Sequence, residues 1–481
     1  MFARIKKSGQ YQYLQIVENS KIDGKVRQRV ISTVGRLDQL QAKGSIETLI
    51  RSLARFSEKT LLVLSGKVDV NAHAVKIGPA LIFERLWREL GLPVIFRDLL
   101  TDRKFEFDIE RAVFLTVLHR LFVSGSDRSC NGWRRDYAIT GVDGIALHHC
   151  YRAMAFIGEV LTDQADATPF APRCMKDLVE ERLFGQHRQL FTGLDLVFFD
   201  TTSIYFEREG GTTLDQFGHS KDHRSDRKQM VVGAILDDNG RPICCEMWPG
   251  NTADVKSLLP VVERLRKRFG IKRFCIVADR GMISADTIAT LETPDCNIPY
   301  ILGARMRRVK EVSEEVLSRG GRYHEVHPEG VSSKSPAPLA VKEIDEEARF
   351  DGKWVLRTNM NLSAEQVALK YKELWQVEQV FRDVKSILDT RPVFHKRDET
   401  IRGHVFCSFL ALVLRKELDR RLESCGHQLE WADIKRDLKA LQDVVVEDNG
   451  RSLVVRTACA GSCGKVFQAV GVALPPTIRE I

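Results

Sequence analysis

Between Leu194 and Asp279 the chain spells a strand, a hairpin of two strands, a helix and a further strand, and the first and last strands each close on an aspartate. Leu194-Asp-Leu-Val-Phe-Phe-Asp200 is short and mostly apolar. Residues 230–236 and 242–247 read as two more strands. The Asp237-Asp-Asn-Gly240 between them signals a hairpin, because asparagine and glycine tolerate the left-handed backbone of a tight turn. Asn251-Thr-Ala-Asp254 then opens an amphipathic helix. Its apolar residues Val255, Leu258, Leu259, Val262, Leu265 and Phe269 face one side, and Gly270 stops it. Phe274-Cys-Ile-Val-Ala-Asp279 has the continuous apolar run of a buried strand. A helix crossing between strands favours a mixed sheet with parallel neighbours. Carboxylates at the tips of adjacent strands then converge on one rim, where open α/β sheets put their ligands.

The rest of the chain surrounds that unit. Its 481 residues suggest about three domains, and 43% hydrophobic against 29% charged residues excludes disorder as the dominant state. The longest clean apolar run, Phe409 to Leu414, is far short of the about 18 residues of a spanning helix. Met1-Phe-Ala-Arg-Ile-Lys-Lys has no apolar signal core, so the expected location is the cytoplasm. Eleven scattered cysteines without C-x2-C pairs, Cys459-x3-Cys463 coming nearest to a metal pair, read as reduced core thiols. Residues 1–75 form a basic hairpin and helix region, with strands at 10–16 and 25–33 turning at Asp23-Gly24. Helices dominate 76–190. The α/β core comprises 191–284 and 362–424, a mixed sheet flanked by helices. It is interrupted by a β-rich insertion, 285–361, with strands at 300–304, 339–344 and 353–358. Residues 425–481 are a C-terminal region. Net charge is +8, and the first 36 residues carry eight Lys/Arg against Glu18 and Asp23. Such a cluster, which includes Lys6, Lys7, Arg27 and Arg29, suits a polyphosphate backbone or a solvated face.

A long helix is expected from Ser363 to about residue 388, opened by the capping box Ser363-Ala-Glu-Gln366. On it Tyr371, Glu378 and Lys385 are spaced by seven, which returns to within about 20° of one face. Trp375 and Leu374 flank that face. Glu378 beside Val377, Phe381 and Val384 lies in an apolar seam, where an unpaired charge is costly. Two aspartates cannot be its partners, but a divalent cation gathered by all three acids resolves the repulsion. Oxygen ligands without a Cys/His set suit Mg²⁺ or Mn²⁺. Two such ions about 3.5–4 Å apart serve in-line displacement at phosphorus. The alternative is that Asp200 and Asp279 cap loops and Glu378 pairs with Lys385 or Arg382. Any one acid alone favours that alternative; the three on this topology favour the ions. Lys221, Arg224, Arg227 and Lys228 precede the second strand as candidate phosphate contacts, and Arg280 follows one acid. His395 and His404 read as packing histidines. Gly461-Ser-Cys-Gly464-Lys465 lacks a phosphate-loop pattern, so no ATP is expected.

Asp200-Thr-Thr-Ser-Ile-Tyr-Phe, Gly218-His-Ser-Lys-Asp-His-Arg-Ser-Asp-Arg-Lys-Gln229, Gly250-Asn-Thr-Ala-Asp254 and Ala278-Asp-Arg-Gly281 together resemble the DDE transposases of bacterial insertion sequences. The 371–385 stretch is similar to that family's Tyr-x2-Arg-x3-Glu-x6-Lys signature, matched by Tyr371, Glu378 and Lys385, with Leu374 where the arginine stands. Arg391-Pro-Val-Phe-His395 and Val34-Gly-Arg-Leu-Asp38 extend the resemblance over about residues 10–414. It implies a ribonuclease H-like core with Asp200, Asp279 and Glu378 as ligands of two Mg²⁺ or Mn²⁺ ions. Tyr371 and Lys385 would hold phosphates of the element's end, and Trp375 occupies the place of a base-stacking tryptophan. Arg382 would replace the missing arginine. Beside the resemblance, Lys221 and Arg224 favour phosphate contact over a solvated loop, and Arg280 stands equally for a DNA contact or a structural ion pair. The implied reaction is cleavage and joining of inverted-repeat DNA ends to target DNA by a homodimer near the nucleoid. A cleavage-dead DNA-binding relative and a nuclease without joining activity are the alternatives.

Overall fold

The computed structural model describes residues 2–22, 25–42, 44–54, 71–123, 125–165, 167, 171–187, 195–271, 274–304, 355–383, 392–448 and 451–480. They group into two compact units: Met1–Ala74 with Ala440–Ala460 and Pro475–Ile481, and Val75–Lys439 with Gly461–Leu474. The region expected as one C-terminal piece therefore contributes to both. Among the described residues no helix is long and apolar enough to cross a membrane.

In the first unit, β1 (Phe2–Ser8), β2 (Tyr11–Ile22) and β3 (Lys25–Arg36) form an antiparallel sheet in that order. The hairpin expected from β2 and β3 is present and longer, and β1 adds a third strand through a turn at Gly9, whose φ of 58° favours glycine. Lys6 and Lys7 are exposed on β1 in register with Tyr13 and Gln12, and Arg29 on β3 faces Glu18. The side chain of Arg27 lies outside the described residues. A second sheet takes in β4 (Asn71–Lys76) at one edge and strands Gln442–Asp448, Arg451–Arg456 and Ile478–Glu480.

The second unit is mixed α/β, as expected. Its sheet comprises β5 (Asp195–Tyr205), β6 (Gln229–Leu236), β7 (Pro242–Pro249), β8 (Phe274–Ala278), β9 (Tyr300–Gly303) and β10 (Leu356–Thr358), in the order β10-β9-β8-β5-β6-β7. β8 runs parallel to β5 and β9, and the remaining pairs are antiparallel. Alternation sends Val197, Phe199, Ile276, Ala278, Tyr300 and Leu302 into one core with Leu258, Val262, Leu265, Ile288 and Leu291 of the flanking helices. Two expectations are corrected. Residues 300–303 and 356–358, read as part of an insertion, are the last two strands on one side of this sheet, with 356–358 at the edge; 305–354, with the strand expected at 339–344, lie outside the described residues. Asp200 also sits within β5 rather than at its tip, because the strand continues past its parallel partner and pairs with β6 up to Tyr205.

The long helix divides into Ala364–Lys372 and Trp375–Arg382. Ser363 caps the first through the expected box, its hydroxyl accepting from the Gln366 N–H. At the junction the N–H groups of Glu373, Leu374, Gln376 and Val377 bond three residues back instead of four. Such steps turn by about 120° rather than 100°, so Glu378 is rotated away from the face of Tyr371. Leu374 is thereby buried and Trp375 is 58% exposed.

The edge of β7 is closed by charge. From helix Met175–His187, Lys176 donates to the Cys245 carbonyl (2.7 Å), and Glu180 accepts from the Cys245 N–H (2.9 Å). Arg268 holds Glu180 (2.9 Å) and Glu181 (2.8 Å), and Arg264 pairs with Glu246, most of this fully buried. Side chains thus occupy the ladder positions a further strand would take. Removing one partner leaves buried charge uncompensated. Lys176→Met should therefore destabilise the fold by about 3 kcal/mol or more in denaturant titration; a change below about 1 kcal/mol would show that the network is not a fastening.

Candidate active site

Asp200 and Asp279 owe their proximity to register. The parallel ladder of β5 and β8 ends on the pair Phe199 and Ala278, so the two aspartates are the next residues of neighbouring strands. Strands lie about 4.8 Å apart, and Asp279 is still extended (φ −73°, ψ 163°). Both acids follow a residue whose side chain enters the core, so both face the opposite side of the sheet. The hydroxyl of Tyr371 reaches Asp279 there, donating to Oδ1 at 3.1 Å. Gly303 makes this approach possible: a Cβ there would stand 2.7 Å from the Tyr371 hydroxyl and 2.9 Å from the Arg280 nitrogen. Burial, and then the charge of Asp279, push the Tyr371 phenol well above its ordinary range, so it remains a donor.

A third carboxylate, not singled out from the sequence, completes this rim. Asp254 accepts from the Thr201 hydroxyl (2.7 Å) and pairs with the Lys221 ammonium (3.1 Å), which lies 3.9 Å from Asp200. The Asp254 motif is expected to open the helix, where an acid is ordinarily read as favouring the helix dipole; in the structure Asp254 begins a 3-10 turn, Asp254–Lys256, the helix starts at Leu258, and the fold brings Asp254 back to β5. Burial pushes the Asp200 carboxyl up to about 6; Asp279 and Asp254 add to this while Lys221 opposes it. Three carboxylates and one ammonium carry a surplus of negative charge on hard oxygen donors. That chemistry fits divalent cations of the Mg²⁺ or Mn²⁺ kind.

Glu378 is exposed on helix Trp375–Arg382, which packs against β5 and β6 through Val377, Val380 and Phe381. Among the described residues it makes no ion pair, whereas the next acid on the helix, Asp383, is buried against Arg415 (3.0 Å). Trp375 and Arg382 are exposed, as is Arg280; Lys385 lies outside the described residues. Arg224 pairs with the exposed Asp226 (2.8 and 2.9 Å) and lies over the Tyr205 ring, and Arg227 and Lys228 pair with Glu207 and Asp215. Much of the basic loop therefore satisfies its own acids.

Among the described residues, one trio of ligand-type side chains has its donor atoms within 4.8 Å of one another: Asp127, His395 and His404. His395 Nε2 lies 3.1 Å from His404 Nδ1 and 3.3 Å from Asp127. The Arg120 guanidinium already fills the cationic role, at 2.9 Å from His404 Nδ1 and 3.6 Å from Asp127, with a further bond to Ser408. This is a buried polar cluster, in keeping with the packing role expected of both histidines. Asp200, Asp279 and Glu378 do not form such a single-ion trio, and ligands shared between two ions about 3.5–4 Å apart need not.

Residues 3–65 match the IS1634 family transposase N-terminal domain, and residues 192–414 match the transposase DDE domain. No curated protein matches the chain. Among solved structures, a piggyBac transposase synaptic complex with hairpin DNA is similar at 12% identity, covering 75% of this chain and 79% of that one with a TM-score of 0.37. The chain belongs to the DDE transposases of insertion sequences. It is thus an enzyme of DNA transposition, and its family depends on divalent metal ions.

The crowding at Asp200 has a measurable consequence. Its folded-state pKa exceeds the unfolded value, so ionisation costs the ion-free protein stability as pH rises from about 4 through about 6. Asp200→Asn removes that cost. Its ion-free thermal midpoint at pH 7.5 should exceed wild type by about 2 °C or more, with no gain at pH 4. Equal effects at the two pH values would contradict the electrostatic origin.

Proposed function

We propose that this transposase binds the inverted-repeat ends of its own element as a homodimer, cuts them to free 3′-hydroxyls, and joins those to double-stranded target DNA. Asp200, Asp279 and Glu378 are the proposed ligands of two Mg²⁺ (or Mn²⁺) ions in a ribonuclease H-like core. The observation that carries this reading is the register ending at Phe199 and Ala278. It sets two aspartates side by side on the sheet face that receives the helix of Tyr371. The strand order supports the ribonuclease H-like assignment: an antiparallel hairpin pair beside a parallel crossover. When bound, the ions supply activation of water or a 3′-hydroxyl and stabilisation of the leaving oxygen.

The chain's own residues do the remaining work. Tyr371 orients the Asp279 carboxylate by donating to one of its oxygens, leaving the other for a ligand role. Trp375, exposed beside the acids' helix, offers a face on which a splayed base stacks. Arg280, Arg382, Arg224 and Lys385 are proposed phosphate contacts around the rim. Lys6, Lys7, Arg27 and Arg29 are proposed to hold the end DNA through the N-terminal sheet. No ATP enters, since each step hydrolyses or exchanges a phosphodiester. The expected place of action is the cytoplasm, at the nucleoid.

Purified protein with a duplex carrying the element's own end should cleave it in Mg²⁺ and join a pre-cut end to a plasmid. Alanine at Asp200, Asp279 or Glu378 should each lower cleavage at least about 10³-fold with end binding retained. Cleavage that survives Glu378→Ala removes Glu378 from the ligand set, and failure to join pre-cut ends makes the protein a nuclease instead. Alanine at Lys6, Lys7, Arg27 and Arg29 together should weaken end binding and reduce the salt slope by about 0.9 per lost phosphate contact. An unchanged slope would remove the N-terminal sheet from the interface.

A further inference from the structure

We propose that Lys221 and Asp254 are a positioning pair for Asp200: Asp254 and Thr201 fix the Lys221 ammonium as an internal charge on the carboxylate rim, not as a DNA contact. The inference rests on the proposed role of Asp200 and adds two residues to it.

The Lys221 ammonium donates to the Thr201 carbonyl (2.8 Å) and to the Thr201 hydroxyl (2.8 Å), and it forms an ion pair with Asp254 Oδ2 (3.1 Å). The Thr201 hydroxyl in turn donates to Asp254 Oδ1 (2.7 Å), which closes the ring of contacts. Thr201 itself is buried, so the ring has a fixed base. What remains of Lys221 is its charge, held 3.9 Å from Asp200 Oδ1. A phosphate would have to compete with Asp254 for this ammonium.

The backbone is built to keep this pairing. Lys221 follows Gly218 by three residues and Asp254 follows Gly250 by four, and the two glycines touch. A Cβ at Gly218 would lie 1.8 Å from the Gly250 carbonyl oxygen, and a Cβ at Gly250 2.1 Å from the Gln229 carbonyl oxygen. No side chain fits between these loops. The Lys221 N–H also donates to Ser203 on β5 (2.8 Å), tying its loop to the strand of Asp200. Two sequence segments about thirty residues apart are thereby clamped so that one acid and one base meet beside Asp200.

The test is a double-mutant cycle with two readouts on the full-length protein. Lys221→Met and Asp254→Asn should each lower single-turnover cleavage of end DNA in Mg²⁺ about 10²-fold, and the double variant should be no worse than either. Thr201→Val, which removes only the bridging hydroxyl, should lower it about 10-fold. In ion-free buffer the salt slope of end-DNA binding should be unchanged in Lys221→Met. A slope reduced by about 0.9 would make Lys221 a phosphate contact and overturn the proposal. Multiplicative losses in the double variant, or full activity in Asp254→Asn, would also overturn it. Thr201→Val serves if Asp254→Asn fails to fold, and full activity there is equally fatal. Cleavage that survives Asp200→Ala would sink the underlying site assignment. Loss in Asp200→Ala with normal Asp254→Asn activity would sink only the pair.

Discussion

A parallel ladder of five residue pairs, Asp195–Phe199 against Phe274–Ala278, holds the site together. Because side chains alternate, a slip of one residue would turn Asp200 or Asp279 into the apolar core and bring Phe199 or Ala278 to the rim. The register is therefore fixed by hydrophobic burial, and the acids inherit their positions from it. Their own interactions oppose the arrangement: the Asp200 carboxyl is raised to about 6 by burial and by its neighbours. The fold supplies the free energy that keeps like charges together until cations relieve them.

Around that ladder the chain uses two kinds of charge in different ways. Lys176, Asp177, Glu180, Glu246, Arg264 and Arg268 are buried and mutually paired, and they close the free edge of β7. The rim gathers Asp200, Asp254 and Asp279 around the Lys221 ammonium and keeps a negative surplus. A paired network fastens, whereas a surplus attracts a cation. The Asp127, His395 and His404 cluster belongs with the first kind, since Arg120 already neutralises it.

Much of this was legible in the sequence because apolar periodicity carried it. The runs before Asp200 and Asp279, the Asp-Asn-Gly turn and the helix ending at Gly270 all appear where the pattern put them, and Gly270 adopts the left-handed conformation (φ 62°) of a helix stop. The parallel neighbours followed from the crossover helix. Less legible were features set by long-range contacts. The division near Glu373 depends on Leu374 entering the core, which a seven-residue spacing cannot register. Asp254 looked like an ordinary helix-opening acid, and its partner Lys221 like one of four loop cations; only the Gly218–Gly250 contact unites them. The short β9 and β10 are ambiguous as well, since strands of four and three residues do not say which sheet they join.

The proposed place for divalent ions is the rim of β5 and β8. Loading the protein with Fe²⁺ in place of Mg²⁺, adding ascorbate and peroxide, and mapping where locally generated radicals cut the polypeptide tests this placement. Cuts clustered near Asp200, Asp254, Asp279 and Glu378, and suppressed by excess Mg²⁺, are predicted. Cuts confined to the neighbourhood of Asp127, His395 and His404, or none at the rim, would contradict it.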